Sequence, residues 1–316
     1  MDNITIYRSL VKAEKLLTQY HNILCSVSGG SDSDILIDLI LTANKDLQRD
    51  IKFVFYNTGI EYQATKDHIK YLESKYNIKI IKETPVKTIP TACKQHGLPF
   101  LNKRISDYIE RLQSHNFDWS DESFETLYKK YPKCKAALRW WCNNFGNKSR
   151  YNIEYTKYLK EYMIENPPTF KISAKCCDYT KKKTAAHFIK ENDIELNIIG
   201  VRKYEGGARN TINNCFNEKH KECPTFYPML WYTDKDKKEY EMKCNIKHSE
   251  CYTKYGLKRT GCAGCPFGLN YEKELQIIKT YEPKLYNAVC NIFADSYEYT
   301  KNFKIFRERK KQGYFD

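Results

Sequence analysis

The chain has 316 residues, of which 41% are hydrophobic and 29% are charged, and its formal net charge is +14. This composition excludes an intrinsically disordered chain, because it holds enough apolar residues for a core and lacks low-complexity tracts. The charged amino-terminal stretch excludes a secretory signal, and no apolar run is long enough to cross a bilayer. We therefore expect a soluble cytoplasmic protein that does not bind a membrane.

The positive charge has two explanations, and the composition alone leaves both of them open. Attraction to a polyanion such as DNA or tRNA is the functional explanation. The other is an AT-biased genome, because lysine far outnumbers arginine, and asparagine, isoleucine and tyrosine are frequent.

The first predicted elements are a helix over 4–20 and then a strand, a tight loop and a helix over 22–40. An apolar run of buried-strand type precedes the loop, and apolar residues on one helical face follow it. Gly29 and Gly30 allow a sharp turn, and the helix start directs free N–H groups and a positive dipole at the loop. Such a loop binds phosphate, and an ordinary capped turn is the alternative. The predicted phosphate-binding residues are Ser28, Gly29, Gly30, Ser31, Asp32 and Ser33.

A second strand over 51–57, a helix over 61–75 and a third strand over 77–82 come next. Strands that alternate with helices through short loops predict a parallel, doubly wound sheet. Ligands of such sheets bind at the carboxyl ends of the strands. Three residues just after the second strand are therefore expected to line the same site as the phosphate loop: Thr58, Gly59 and Glu61.

The stretch from about 90 to 165 interrupts this alternation, because it is mostly helical, aromatic and basic, and we interpret it as a helical insertion. The sheet is predicted to resume with strands over 169–173 and 196–201. The predicted fold class is therefore α/β, with a doubly wound parallel sheet of five strands. We expect a nucleotide-binding domain over 1–235 and a small cysteine-rich and helical unit over 236–316.

Thirteen cysteines are many for an intracellular chain, and an odd number without a secretory signal argues against a disulfide framework. Two of the cysteines are adjacent in sequence, and two others form a single Cys-x-x-Cys turn. Two adjacent cysteine thiolates cannot easily bind the same small tetrahedral ion without strain. A [4Fe–4S] cluster is larger, and the two thiolates can bind different iron atoms of it. A cluster is therefore favoured over zinc and over thioredoxin-like redox chemistry. The candidate ligands, one more than a cluster takes, are Cys176, Cys177, Cys215, Cys262 and Cys265.

Five motifs in one order resemble the phosphoadenosine phosphosulfate (PAPS) reductase family in its broad sense. That family is part of the PP-loop superfamily, whose domains have the adenine nucleotide α-hydrolase-like fold. The resemblance implies binding of ATP or an adenylyl nucleotide, and a [4Fe–4S] cluster on a Cys-Cys pair and a Cys-x-x-Cys pair. Many relatives have lysine where this chain has Ser31. The five motifs span residues 28–33, 57–61, 176–177, 200–209 and 259–268.

One departure from the family separates this chain from the true sulfonucleotide reductases. Those enzymes share a C-terminal Glu-Cys-Gly-Leu/Ile-His segment whose cysteine attacks the sulfate sulfur. Cys290 of this chain lies in Ala-Val-Cys-Asn and does not match that segment. The chain is accordingly more similar to the Dnd-type PP-loop proteins of DNA phosphorothioation.

These observations predict an enzyme that binds ATP and Mg²⁺, adenylates a substrate and releases pyrophosphate. Asp32 would hold the metal ion, and Arg202 and Arg209 would offset charge on the α-phosphate or the second substrate, unless they form only surface salt bridges. The cluster would support sulfur transfer from a donor protein to DNA or tRNA, and the oligomeric state is left open. One alternative is a reductase of PAPS or adenylyl sulfate that releases sulfite. Another is a non-catalytic nucleotide or nucleic-acid binding protein with a structural cluster.

Overall fold

Residues 3–268 and 270–313 are described by the computed structural model. The chain forms two compact units, one of Met1–Val86 with Thr180–Ala263 and the other of Lys87–Tyr179 with Gly264–Asp316. The predicted helical insertion falls within the second unit. The boundary predicted near residue 235 falls inside the first unit, where the helix over 234–243 packs against the helices over 4–19 and 31–44.

The main elements alternate between strand and helix at the start of the chain and are mostly helical in its middle and at its end. Their bounds are α1 (Ile4–Gln19), β1 (Ile23–Val27), α2 (Ser31–Asn44), β2 (Ile51–Tyr56), α3 (Gln63–Tyr76), β3 (Ile80–Glu83), α4 (Ile89–His96), α5 (Lys103–Gln113), α6 (Phe124–Lys130), α7 (Lys135–Trp141), α8 (Leu159–Glu165), α9 (Lys175–Cys177), α10 (Lys183–Glu191), β4 (Leu196–Ile199), β5 (Phe216–Asn217), β6 (Thr225–Phe226), α11 (Asp234–Lys243), α12 (Glu250–Thr253), α13 (Tyr271–Tyr281) and α14 (Pro283–Lys311).

The first unit contains a mainly parallel sheet with the strand order β3-β2-β1-β4-β6-β5. The strands pair in parallel except β5, which is antiparallel to β6. The sheet has six strands rather than the predicted five, because the two very short strands β5 and β6 extend it beyond β4 and one predicted strand is not part of it. The molecule is therefore of the predicted α/β class, with β1 at the centre of the sheet.

The predicted strand over 169–173 is not part of this sheet, and that prediction was wrong. Ile172 forms only an isolated parallel bridge with Leu98, within the second unit. Its alternating apolar residues serve another purpose, because Phe170 and Ile172 pack into the aromatic core of that unit. The alternation of apolar and polar residues showed that one side of this segment is buried. It did not show which part of the protein packs against that side.

The core of the first unit holds the phosphate loop in place from both sides. Ile23, Leu24 and Cys25 of β1 are fully buried. Five apolar residues in the middle of α2 are fully buried as well. A helix that is apolar on most of its faces is a buried helix. Each of these side chains contributes roughly 1.5–3 kcal/mol on burial, so the amino-terminal end of α2 is firmly positioned.

The second unit is helical and has its own core, which is rich in aromatic residues. Trp140 and Trp141 of α7 are buried there together with Phe303 and Phe306 of the long helix α14. None of the described helices is both long and apolar enough to cross a bilayer. Helices α4 and α9 pack on each other within this unit and bring cysteines of both together.

Candidate functional site

The loop between β1 and α2 has the sharp turn that its glycines predict. Gly29 adopts a φ of +67°, and a Cβ atom at this position would lie 2.7 Å from Cγ2 of the buried Thr65. Gly30 is the N-cap of α2, and no side chain caps the helix there. Glycine at position 29 is therefore required both by the backbone conformation and by the close approach of α3.

The amides of this loop are not all directed into open space. Ser33 and Asp34 donate their N–H groups to the carbonyl of Gly30, at 2.8 and 3.2 Å, as at an ordinary helix start. The N–H of Ser31 donates to the hydroxyl of Tyr252 at 3.1 Å. The backbone N–H of Thr260 donates to that hydroxyl at 3.2 Å, and the Thr260 hydroxyl lies 3.1 Å from it. The hydroxyl oxygen of Tyr252 thus accepts a hydrogen bond from one of the amides predicted to bind an anion.

Asp32 lies between two cations. Lys237 Nζ donates to its Oδ1 at 2.7 Å, and Arg202 Nε donates to its Oδ2 at 3.0 Å. Burial raises the pKa of Asp32, but Lys237 and Arg202 outweigh this effect and hold the pKa below its usual range. Asp32 is therefore an ionised carboxylate with both oxygens paired.

The two predicted arginines differ in their exposure. Arg202 is 6% exposed, so its ion pair with Asp32 is largely buried, and it also donates to the exposed Asp234 at 2.9 Å. Arg209 is more exposed and pairs with Glu205 at 3.2 Å. Burial and the nearby carboxylate of Asp32 raise the pKa of Glu205, while Arg209 and Arg202 oppose the shift. We call Asp32, Arg202, Glu205, Arg209, Asp234 and Lys237 the charged cluster.

The residues predicted after β2 form a second polar group. Thr58 donates its hydroxyl to Glu61 at 2.6 Å, and both side chains are buried. Burial raises the pKa of Glu61, and the hydrogen bond from Thr58 and the charge of Lys181 act against it. Gly59 is exposed and donates its N–H to the Asn57 side chain at 3.1 Å.

A cavity of about 310 Å³ lies where the carboxyl ends of β1, β2 and β4 meet, as the sheet topology predicts. Phe55, Tyr56 and Ile199 contribute apolar wall, and Ser28 and Glu61 are among its polar lining residues. Thr260, Gly261, Lys181 and Lys182 line it as well. The cavity therefore joins the phosphate loop to the buried carboxyl group of Glu61.

Three of the five predicted metal ligands lie in the second unit, where Cys177 and Cys265 are both near Cys176. Cys176 of α9 is buried beside Cys177, beside Cys93 of α4 and near Cys265. Contact with Cys177 lowers the pKa of Cys176, but the Cys93 thiol, burial and the Cys265 thiol together raise it. No sequence motif includes Cys93, which lies more than eighty positions from Cys176.

The other two predicted ligands lie in the first unit. Cys215 packs against the core of the sheet, and Cys262 lies just before the point where the chain enters the second unit. All thirteen cysteines fall in the described part of the chain, and none forms a disulfide. Among the residues described, no group of three or more His, Cys, Asp or Glu side chains is arranged to hold a metal ion.

Sequence reasoning missed three further residues of the first unit: Glu205, Lys237 and Tyr252. Lys237 is one of several lysines in a helix more than 200 positions from the loop that it contacts. Tyr252 lies in a short helix that no motif includes. Such long-range contacts leave no local pattern from which they could be found.

The family model of the phosphoadenosine phosphosulfate reductase domain matches residues 22–139 and 142–267. These ranges include the phosphate loop, the charged cluster and all five cysteines predicted as ligands.

Two proteins of Methanocaldococcus jannaschii are similar in sequence. The uncharacterized protein MJ0066 is 25% identical over 276 residues, which are 86% of this chain and 42% of that protein. The uncharacterized protein MJ0973 is 22% identical over 267 residues, which are 84% of this chain and 46% of that protein. The chain thus spans less than half the length of each of these relatives.

Among solved structures, phosphoadenylyl-sulfate (PAPS) reductase from Candida auris in a phosphate complex has 12% identity and a TM-score of 0.45, covering 81% of this chain and 91% of that chain. The U34-tRNA thiolase NcsA from Methanococcus maripaludis with its [4Fe-4S] cluster has 12% identity and a TM-score of 0.40, covering 95% of this chain and 80% of that chain.

Proposed function

The chain belongs to the phosphoadenosine phosphosulfate reductase domain family, and from this membership we propose that it is a PP-loop enzyme that adenylates a substrate with ATP and releases pyrophosphate. One observation carries the proposal. An ionised Asp32 lies between Lys237 and Arg202 at the start of α2, beside a cavity at the ends of three strands. This combination suits a ligand with a polyanionic tail and a flat apolar body.

The triphosphate would bind at the amino-terminal end of α2. The helix dipole and the loop amides favour an anion there, and charge-assisted hydrogen bonds are stronger than neutral ones. A phosphate oxygen is therefore a better acceptor for the Ser31 amide than the hydroxyl of Tyr252. We expect the nucleotide to displace this hydroxyl from the loop.

Asp32 is the residue that would hold Mg²⁺. Magnesium sites commonly use one or two carboxylates, and the substrate phosphates and water complete the shell, so a single ionised Asp fits. Bound Mg²⁺ would screen the phosphate charge. Because Lys237 and Arg202 already neutralise Asp32, we expect them to turn to the phosphates when the ion takes their place on the carboxylate.

The nucleoside would bind in the cavity. Phe55, Tyr56 and Ile199 offer apolar contact for a base, and Glu61 offers a polar group at its edge. Because burial raises the pKa of Glu61, its carboxyl group is closer to being a hydrogen-bond donor than an exposed Glu would be.

In the proposed reaction, a nucleophile of the substrate attacks the α-phosphorus, and the bond from this phosphorus to the bridging oxygen of the β-phosphate breaks. The electron pair leaves with pyrophosphate, and the substrate keeps AMP until a later step. Arg202 and Arg209 would offset the negative charge that develops on the phosphates. We further propose that a nucleic acid is the substrate and that a separate protein delivers sulfur at the oxidation level of sulfide. This sulfur forms a bond to the activated atom, the bond from that atom to the adenylyl oxygen breaks, and AMP leaves with the electron pair.

We also propose a [4Fe–4S] cluster that takes Cys176, Cys177 and Cys265 of the second unit as ligands. Thiolates are the ligand type that such clusters take, and Cys177 and Cys265 both lie near Cys176. A bound cluster would carry or bind the sulfur that is transferred. Cys215 is left out because it packs against the sheet core of the first unit.

The first experiment measures pyrophosphate and AMP release from ATP and Mg²⁺ with anaerobically purified protein. We expect Asp32→Ala to lower the rate by about 100-fold or more, because the metal ligand is lost. Asp234→Asn is the matched control, since it removes a carboxylate of the same cluster that does not touch the loop. Sulfite release from PAPS with a thiol reductant would support the reductase instead, and nucleotide binding without turnover would support a binding protein.

The second experiment measures iron content and the visible spectrum of the same preparation. We expect about four iron atoms per chain. Cys177→Ser and Cys265→Ser should each lose iron, and Cys215→Ser should keep it. Full iron in the first two variants, or loss of iron only in the last, would contradict this ligand set.

A further inference from the structure

The phosphate loop of this chain carries no positive side chain of its own. The segment from Ser28 to Ser33 has no lysine or arginine. A loop that binds a triphosphate only through amides and hydroxyls lacks the strong charge-assisted contact that an ammonium group gives.

A lysine from elsewhere in the chain reaches this position. Lys237 Nζ donates to the hydroxyl of Ser31 at 2.5 Å and to Asp32 Oδ1 at 2.7 Å. Its side chain is 16% exposed, so the ammonium group lies at the loop and not in bulk solvent. The ammonium group thus contacts two side chains of the phosphate loop.

The helix that carries Lys237 is held firmly enough to make this contact a fixed one. The amino-terminal end of α11 has a complete capping box of Thr233 and Asp236. Asn3 donates to Asp236 at 2.8 Å and to Glu239 at 2.9 Å, and α11 packs against α1 and α2. The position of the ammonium group is therefore set by packing and not by a mobile surface side chain.

The short side chain at position 31 is the other half of the arrangement. A lysine at position 31 would place a second ammonium group where Lys237 already lies, and two like charges at this distance repel each other. The short side chain of serine leaves room for the ammonium group of Lys237, and its hydroxyl oxygen accepts a hydrogen bond from that group. The identity of residue 31 and the presence of Lys237 are therefore linked.

From these contacts we infer that Lys237 supplies, from α11, the phosphate-binding cation that the loop itself lacks. The inference rests on the proposed function, because it assigns a role to Lys237 in binding the β- and γ-phosphates of ATP. In the protein without nucleotide Lys237 neutralises Asp32, and in the complex it binds phosphate while Asp32 is released for Mg²⁺.

The test moves the lysine from the helix to the loop. We expect Lys237→Ala to weaken the binding of ATP and Mg²⁺ by about 10- to 100-fold, as measured by calorimetry, because one charge-assisted contact is lost. Adding Ser31→Lys to this variant should recover most of the affinity. Ser31→Lys alone should bring no gain, because Lys237 is still present. Lys238→Ala, which removes another lysine of the same helix, is the control and should bind as the wild type does.

The outcomes separate this inference from the proposed function. If the wild-type protein does not bind ATP, the proposed function fails. If the wild type binds ATP and Lys237→Ala binds it equally well, the inference fails and the proposed function stands. If Lys237→Ala binds poorly and Ser31→Lys does not restore binding, Lys237 only holds α11 on the loop, and the inference is overturned. Thermal melts identify a variant that has lost its fold, and Lys237→Arg then replaces Lys237→Ala and should keep near-wild-type affinity.

Discussion

At the scale of single residues, the site is controlled by what occupies the loop in the absence of a ligand. The hydroxyl of Tyr252 accepts hydrogen bonds from the backbone of Ser31 and of Thr260. It therefore satisfies two amides that would otherwise lack a partner near the loop, and it must leave if phosphate is to bind the Ser31 amide.

Tyr252→Phe tests this competition. The loss of the hydroxyl leaves two amides without their acceptor, which should cost the nucleotide-free protein about 1–3 kcal/mol of stability. Because phosphate can satisfy the Ser31 amide, the cost is partly recovered on binding, and we expect ATP to bind several-fold more tightly. Calorimetry with a non-hydrolysable ATP analogue measures the affinity. Tyr7→Phe, an exposed tyrosine on α1, is the control, and a weaker affinity of Tyr252→Phe would mean that the hydroxyl itself contacts the nucleotide.

Gly29→Ala tests the close packing of the loop on α3. Both the positive φ and the contact with Thr65 Cγ2 oppose a Cβ atom, so we expect a loss of about 1–3 kcal/mol in stability and a displaced loop with weak ATP binding. Gly206→Ala is a matched control, because Gly206 has a φ of +74° but a Cβ added there would meet no atom within 4 Å. Thr65→Ser removes the crowding methyl group and should recover part of the loss in Gly29→Ala. Equal effects of the two glycine variants would show that crowding contributes nothing.

At the scale of elements, a buried network ties α2 to α3 and α11. Asp34 of α2 is fully buried and contacts His68 of α3 and His248, each at 2.8 Å. His248 also contacts Glu241 of α11 at 3.0 Å. Burial lowers the pKa of His248, but its hydrogen bonds with Asp34 and Glu241 outweigh this and raise the pKa to about 9.

This network predicts a pH-dependent stability. The pKa of His248 is higher in the folded protein than in the unfolded chain, where it is near 6.5, so its contribution is complete below pH 6.5 and is lost as the pH rises through about 9. Allowing for solvent screening, we expect the loss to be about 1–3 kcal/mol. Urea unfolding at several pH values measures it. His248→Gln should flatten the profile between pH 6.5 and 9, and His187→Gln, an exposed histidine on α10, should leave it unchanged.

The elements also show how far the sequence could predict the fold. The strands β1, β2, β3 and β4 were predicted, because each has a long apolar or β-branched run between turn residues. The two-residue strands β5 and β6 are too short to have a period, and the segment 169–173 has the right period but packs elsewhere. Local sequence patterns identify elements that have one buried face. Which part of the protein packs against that face depends on tertiary contacts, which these patterns do not show.

The same distinction applies to the site. Ser28 and Glu61 line one cavity, because the carboxyl ends of neighbouring parallel strands meet at the same edge of the sheet. Lys237 and Tyr252 could not be predicted, because each reaches the loop from more than 200 positions away. Their positions depend on how α11 and α12 pack, which leaves no signal in the residues around them.

At the scale of the whole molecule, the net charge of +14 still has its two explanations. Binding of a fluorescent tRNA or a short DNA duplex distinguishes them. If the charge serves a polyanion, affinity at 50 mM salt should fall by about 1,000-fold at 200 mM, because several phosphates release their counterions. Binding of ATP serves as the reference, since it should change much less over the same range. No binding of either nucleic acid at 50 mM salt would favour genome composition.

The order of strands in the sheet has a consequence for synthesis. The central strand β1 pairs with β2 and with β4, yet β3 ends at Glu83 and β4 begins only at Leu196. At 5–20 residues per second a ribosome needs on the order of 10 s to cover this interval. During that time the nascent chain displays one edge of an apolar strand with its peptide groups unpaired. Chaperones that recognise extended apolar peptide are therefore expected to bind the growing polypeptide in this interval, and to release it once β4 has emerged.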